Sequence, residues 1–224
     1  MPLLAALMVL TLVSGLVDAV SYLGLGHVFT ANMTGNVVVL GFAAAGAPGF
    51  SAPATLTSLG VFLVGAIMAG RVAGRIPGRG RLLVITMVVE AVLVGAAALA
   101  AFLAPTTAAG WGRYTVIAIL ALAMGMRNAA VRRLAVRDLT TTVPTQTLTG
   151  LATDSSLAGG ANPRAGRRIG AVVAMLAGAA AGALMFLHVD AALPLLVSAA
   201  LTGATAVAFG AAGSRPATVA GSAA

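Results

Sequence analysis

The chain has 224 residues, 60% of them hydrophobic and only 8% charged, with a mean hydropathy of +1.05. Soluble domains carry about 25% charged residues, so this chain lacks the polar surface needed to face water and reads as a polytopic membrane protein. Its thirteen basic residues are all arginine and stand against five acids; they flank apolar runs, which marks membrane orientation and excludes nucleic acid as the partner, and the absence of cysteine excludes disulfides, thiolate metal sites and cysteine nucleophiles.

A helix needs about 20 apolar residues to cross the hydrocarbon core. The first such run lies near 3–24. It has no basic leader and no small-residue cleavage pattern, so it is expected to be a span and not a cleavable signal. Thr11, Ser14, Gly15, Asp18 and Tyr22 recur along it at helical spacing and share one face. A carboxylate inside a span is costly unless paired or hydrated. Asp18 is therefore a candidate for proton or cation coupling; the alternative is that it caps or hydrogen-bonds a neighbouring segment.

A short segment follows at 30–46, within FTANMTGNVVVLG and its continuation. Thr30, Asn32, Thr34, Gly35 and Asn36 head an apolar run too short to cross. Thr and Asn suit helix N-caps, and glycine permits a close backbone approach. The N–H groups and positive end of such a half-helix suit an anion or polar solute; equally, these side chains satisfy the chain break and hold helices together.

The next spans are expected near 54–74, 82–104 and 113–133. Glu90 falls inside the second of these, with no partner visible from sequence. The third carries Met124, Gly125, Asn128 and Arg132 on one face, with Arg127 beside it. Two placements are open for Arg127: an ion pair with Asp18, which needs good geometry merely to break even, or snorkelling to the cytoplasmic interface. The segment 140–158, TTTVPTQTLTGLATDSSLA, is a second short polar-headed piece, with Thr141, Thr145, Gln146 and Thr149. Asp154 behind it is either a helix-end partner or a loop acid. Spans near 168–187 and 191–211 complete the set, and 214–224 reads as a disordered tail. Gly166, Gly170, Ala174, Gly178 and Gly182 recur every four residues, with Ala66, Gly70 and Gly74 as their counterparts. This stripe suits close contact inside the bundle or a homodimer seam.

Charge decides the topology. If both short segments cross, there are eight spans, and the loops holding Arg132, Arg133 and Arg137 and holding Arg164, Arg167 and Arg168 fall on opposite sides. If both are re-entrant, six spans remain and every arginine cluster shares one side, with Arg113 alone opposite. The second arrangement obeys the positive-inside rule and puts both termini in the cytoplasm. GLVDA at Gly15–Ala19 also aligns with GMRNA at Gly125–Ala129, a spacing of 110, and with one residue of slip Thr30, Thr34 and Gly35 fall opposite Thr141, Thr145 and Gln146. The run 54–74 corresponds to 168–187, and 82–104 to 191–211. The expected architecture is all-α: one transmembrane domain over 1–213, six transmembrane helices plus two re-entrant segments, in repeats 1–110 and 111–213 with the second inverted.

The stretches GLVDAVSYLGLGHVFTANMTGN and ALAMGMRNAAVRRLAVRDLTTTVPTQTLTGLATDSS resemble the bacterial YoaK family of integral membrane proteins. The resemblance covers essentially the whole chain. It implies a multi-spanning protein of the inner membrane and brings no established activity. The chain departs from the family's usual pattern at Arg127, where an uncharged Gln is usual, and at Pro144, where Leu is usual.

The function expected from these features is a small inverted-repeat transporter or channel for a small polar or anionic solute or ion. Its pathway would run at the repeat interface, lined by the polar residues named on the first and fourth spans and on both short segments. The alternative is a non-transporting membrane scaffold whose polar motifs only hold helices together. His27 and His188 lack a carboxylate cluster for a metal. No Ser-His-Asp order, Walker loop, dinucleotide fingerprint or HExxH occurs, so neither an enzyme nor a cofactor is expected.

Overall fold

A computed structural model describes residues 3–104, 110–134, 144–161 and 165–213. The described residues form α1 (Leu3–Gly24), α2 (Met33–Ala44), α3 (Ala52–Ala73), α4 (Arg79–Leu103), α5 (Trp111–Leu134), α6 (Pro144–Thr153), α7 (Ala165–His188) and α8 (Ala192–Gly213), with no strand among them. Six helices are long and apolar enough to cross a membrane, all but α2 and α6. They begin and end within a few residues of the six expected runs. The second short segment is described only from 144, so Thr141 lies outside the described residues, as does the tail 214–224.

Local chemistry sets several boundaries. The Ser51 side chain accepts the Ala54 N–H at 3.3 Å and Pro53 sits in the first turn of α3, a favoured helix start. At α8 the Asp190 carboxylate accepts the Ala192 and Leu193 N–H groups at 2.9 and 2.8 Å.

The bundle is built from three main pairings: α1 on α7, α3 on α5 and α4 on α8. Two of them are closed by glycines that let backbones touch. A β-carbon on Gly15 would run into the Met175 carbonyl, and one on Gly178 into the Leu12 carbonyl. Likewise Gly125 lies against the Phe62 carbonyl and Gly65 against that of Leu122. Only part of the expected stripe takes part. Gly178 and Gly182 are buried against α1, whereas Gly166 and Gly70 have open space where a side chain would stand.

Neighbour order gives helix direction. Met8, Leu12 and Leu16 of α1 meet Gly170, Gly178 and Gly182 in turn, so α1 and α7 are parallel. Gly65 meets Leu122 and Gly74 meets Arg133, so α3 and α5 are parallel too. In contrast Val84, Ala91 and Gly95 of α4 meet Gly210, Gly203 and Ala199 of α8, which makes that pair antiparallel. Six alternating spans satisfy all three relations. Eight would make α4 and α8 parallel, so α2 and α6 add no crossing.

The loops agree for the first short segment. The His27 Nδ1 lies 2.8 Å from the Gly49 carbonyl, so the chain leaving α1 returns to the same end before α3 begins. The ends also differ in charge. Arg71, Arg79, Arg81, Arg132, Arg133, Arg167 and Arg168 all stand at the end where α1 starts, and Arg133 donates to the Gly70 carbonyl at 2.8 Å. Arg113 stands at the other end. The core is dominated by α1, with Leu7, Leu10, Val13, Val17 and Val20 buried against Leu83, Met87, Val94, Ile117 and Leu120. Helix α7 presents Val173, Leu176, Leu184 and Leu187 outward, a surface suited to lipid.

Candidate functional site

Among the described arginines, one is fully buried inside the bundle. Arg127 on α5 is 0% exposed, and its Nη1 lies 2.8 Å from Glu90 Oε1 on α4. The same Nη1 donates to the Leu10 carbonyl of α1 at 3.2 Å, and Nη2 donates to Ser14 Oγ at 2.5 Å. Ser14 in turn donates to the Leu10 carbonyl at 3.0 Å, closing a small polar triangle on α1. Both placements expected for Arg127 are thereby corrected. It does not pair with Asp18, and it does not snorkel, because a carboxylate at its own depth and two acceptors on α1 take its Nη1 and Nη2 donors within the core. Arg127 Nε and Glu90 Oε2 meet no hydrogen-bond partner among the described residues.

Asp18, one turn further along α1 from Ser14, is spent differently. Its Oδ1 accepts the Thr30 and Ala31 N–H groups at 3.0 and 2.8 Å. These amides lie just ahead of α2, so the anion at the positive end of this short helix is the chain's own carboxylate. Asn36 completes the clamp. It accepts the Phe29 N–H at 2.8 Å, donates to the Phe29 carbonyl at 2.6 Å, and donates to Ser58 Oγ on α3 at 3.2 Å. Ser58 donates to that same Phe29 carbonyl at 2.6 Å.

Of the Thr and Asn residues expected to suit the N-cap, Asn32 takes the position, because α2 begins at Met33, but its side chain makes no cap bond. Thr34 is exposed, and Gly35 makes room for the Phe29 ring. Tyr22 stacks on Phe29 with ring centroids 4.9 Å apart. Thr30 is buried, and its hydroxyl meets no hydrogen-bond partner among the described residues.

The two short helices sit on corresponding spans of the two halves. Helix α2 rests on α3 and α6 on α7. Thr145, Gln146 and Thr149 are exposed. Arg168 of α7 secures α6 by donating to the Gly150 carbonyl at 2.6 Å and to Asp154 Oδ2 at 2.7 Å, so Asp154 is the helix-end partner. Asn128, which the sequence alignment of the two halves sets opposite Asp18, donates to the Met124 carbonyl at 2.8 Å. Among the described residues no three His, Cys, Asp or Glu side chains gather as a metal would require.

Sequence reasoning missed one residue, Ser58, and one pairing, that of Glu90 with Arg127. The pairing had a signal. Glu90 lies 13 residues before the end of α4 at Leu103, and Arg127 lies 16 residues after the start of α5 at Trp111. At about 1.5 Å per residue the two stand at similar depth on consecutive antiparallel helices. Nothing comparable points to Ser58, whose partner is a backbone carbonyl.

Residues 6–208 match the family model described as "Protein of unknown function (DUF1275)". The chain is 33% identical over 152 residues to the UPF0700 transmembrane protein YoaK of Bacillus subtilis (strain 168), a match spanning 67% of this chain and 66% of that relative's length. No solved structure matches the chain.

Proposed function

On the premise that the chain belongs to the DUF1275 family of proteins of unknown function, we propose that it is a small inverted-repeat transporter or channel of the inner membrane that passes a small anionic or polar solute. The observation that carries this reading is the Arg127–Glu90 pair, buried where α1, α4 and α5 meet. A protein that only had to stay folded gains little from such a pair, since well-packed apolar residues of similar volume do as well or better. Intramembrane ions mark solute and ion pathways far more often than they serve as glue. Arg127 supplies the cation on which a solute anion exchanges with Glu90, and Nε is the donor still to be used.

Three considerations support the inverted repeat. Each half contributes three spans. The contacts Gly15–Met175 and Gly178–Leu12 recur as Gly125–Phe62 and Gly65–Leu122, with offsets of 125 − 15 = 110 and 178 − 65 = 113. The parallel pairs α1/α7 and α3/α5 are the same pairing with the halves exchanged. Orientation follows from the arginine-rich end, which is cytoplasmic by the positive-inside rule and holds the start of α1 and the end of α8.

A second reading, the non-transporting scaffold, is favoured by the Asp18–Asn36–Ser58 clamp, whose bonds go almost entirely to backbone. Flux separates the two. Proteoliposomes loaded with small anions, amines and amino acids are expected to exchange an anionic or zwitterionic solute with wild type. Exchange is expected to vanish in the Glu90→Gln/Arg127→Gln double variant, which carries no uncompensated charge and remains folded. If wild type moves none of these solutes, the scaffold reading replaces transport.

A further inference from the structure

At the end away from the arginine clusters the protein holds an open cavity of about 410 Å³, lined by Arg113, His27, Gly26, Gly49, Leu23 and Phe50 among others. That volume lies within the range of small-molecule sites. Arg113 is the described arginine that departs from the charge asymmetry of the bundle, so orientation does not account for it. No carboxylate is among the described residues that line the cavity, and Arg113 is the charged side chain among them.

The backbone around it is held in an unusual shape. His27 has φ +58, the one non-glycine with positive φ among the described residues, and Gly26 and Gly49 have φ +90 and +85. Glycine adopts such angles freely, but for a histidine the left-handed conformation persists only where surrounding contacts impose it, and such residues gather at binding sites. Here the contacts are visible. His27 Nδ1 lies 2.8 Å from the Gly49 carbonyl, so Nδ1 is the protonated nitrogen and the Nε2 edge is left for a ligand. The ring stands edge-on to Tyr22, centroids 5.2 Å apart, and 5.5 Å from Phe50. A β-carbon at residue 26 would come 2.9 Å from Arg113 Nη1, so glycine there makes room for the guanidinium. Arg113 has further contacts within the protein, which restrict its orientation.

From this geometry we infer that the cavity is a binding site for a small organic carboxylate at the outer mouth of the protein. The guanidinium takes the carboxylate oxygens, ideally as two parallel hydrogen bonds. Leu23 and Phe50 cover a short hydrocarbon stub, which a bare inorganic anion lacks. The site's role as the place where solute is received rests on the pathway proposed above; binding itself does not.

Calorimetric titration of the full chain in lipid nanodiscs with butyrate tests it, with sulfate, phosphate and butylamine as comparisons. Wild type is expected to bind butyrate saturably and more tightly than either inorganic anion, and not to bind butylamine. Arg113→Gln is expected to weaken butyrate about tenfold or more. Leu23→Trp, which narrows the cavity and leaves the charge in place, is expected to weaken it as well. No saturable butyrate heat from wild type overturns the inference, as do butyrate binding unchanged in Arg113→Gln and inorganic anions bound as tightly as butyrate. Should Arg113→Gln fail to fold, unchanged binding in Leu23→Trp is the overturning result. Arg113-dependent binding without flux in proteoliposomes sustains this site and ends the transport reading. Flux without Arg113-dependent binding does the reverse.

Discussion

Arg127 and Glu90 face each other at 2.8 Å between α5 and α4, with side chains 0% and 1% exposed. Both ions have left water, and each is the other's main compensation. Removing one therefore exposes the full cost of burying its partner, while removing both removes the cost as well.

The first prediction follows from that asymmetry. Arg127→Gln and Glu90→Gln are each expected to destabilise the protein by about 3–5 kcal/mol, and the double variant by much less. Thermal or denaturant unfolding in detergent measures it. Additive single effects would show that the pair is not coupled. The same coupling bears on the family resemblance. Relatives with an uncharged residue at the position of Arg127 are expected to be uncharged at the position of Glu90.

Asp18 holds the chain ahead of α2 through two amides. Asp18→Ala orphans both, at a cost of about 1–3 kcal/mol each, whereas Asp18→Asn keeps an acceptor oxygen. Because the chain has no cysteine, a single Ala31→Cys reporter, buried in wild type, reads the clamp. Maleimide labelling is expected to accelerate sharply in Asp18→Ala and only slightly in Asp18→Asn. Equal labelling rates in all three backgrounds would mean that the clamp does not order this loop.

The glycine contacts are expected to behave as two equivalent pairs. Gly15→Ala and Gly125→Ala each push a methyl into a facing carbonyl, an overpacking that costs about 1–3 kcal/mol or more. Gly41→Ala and Gly166→Ala enter open space and are expected to change stability by less than about 0.5 kcal/mol. Midpoints of unfolding in detergent check the contrast, and similar losses at all four would remove the basis for it.

Topology has a direct measurement. Ala45→Cys and Ala161→Cys sit in exposed positions after α2 and after the Ser156–Ala158 turn. With six spans, impermeant reagent reaches them from opposite sides of the membrane. Eight spans would put them on the same side, so one-sided labelling rejects the arrangement described.

The spans were legible because hydrophobic length is a one-dimensional property. A run of about 20 apolar residues has few places to be except across a bilayer, and the arginines beside it carry the orientation. The signal behind the proposed repeat is one-dimensional too, since Gly15 and Gly125 recur with their neighbours. Asp18 could be ranked from sequence as a costly group, and the idea that it bonds a neighbouring segment was already open. Which segment it bonds depends on the path of residues 25–32, and no periodicity encodes that path.

Residue types and their order thus determined the class, the six helices and the need for every buried charge to find a partner. Tertiary structure alone decided the partners. Asp18 and Glu90 are both carboxylates inside spans, and by composition either suits Arg127. Glu90 takes it because α4 and α5 run antiparallel at matched depth, while the fold-back after α1 delivers two backbone amides to Asp18. Electrostatic demand is written in the residue; its satisfaction is a matter of distances of about 3 Å, which only the assembled helices set.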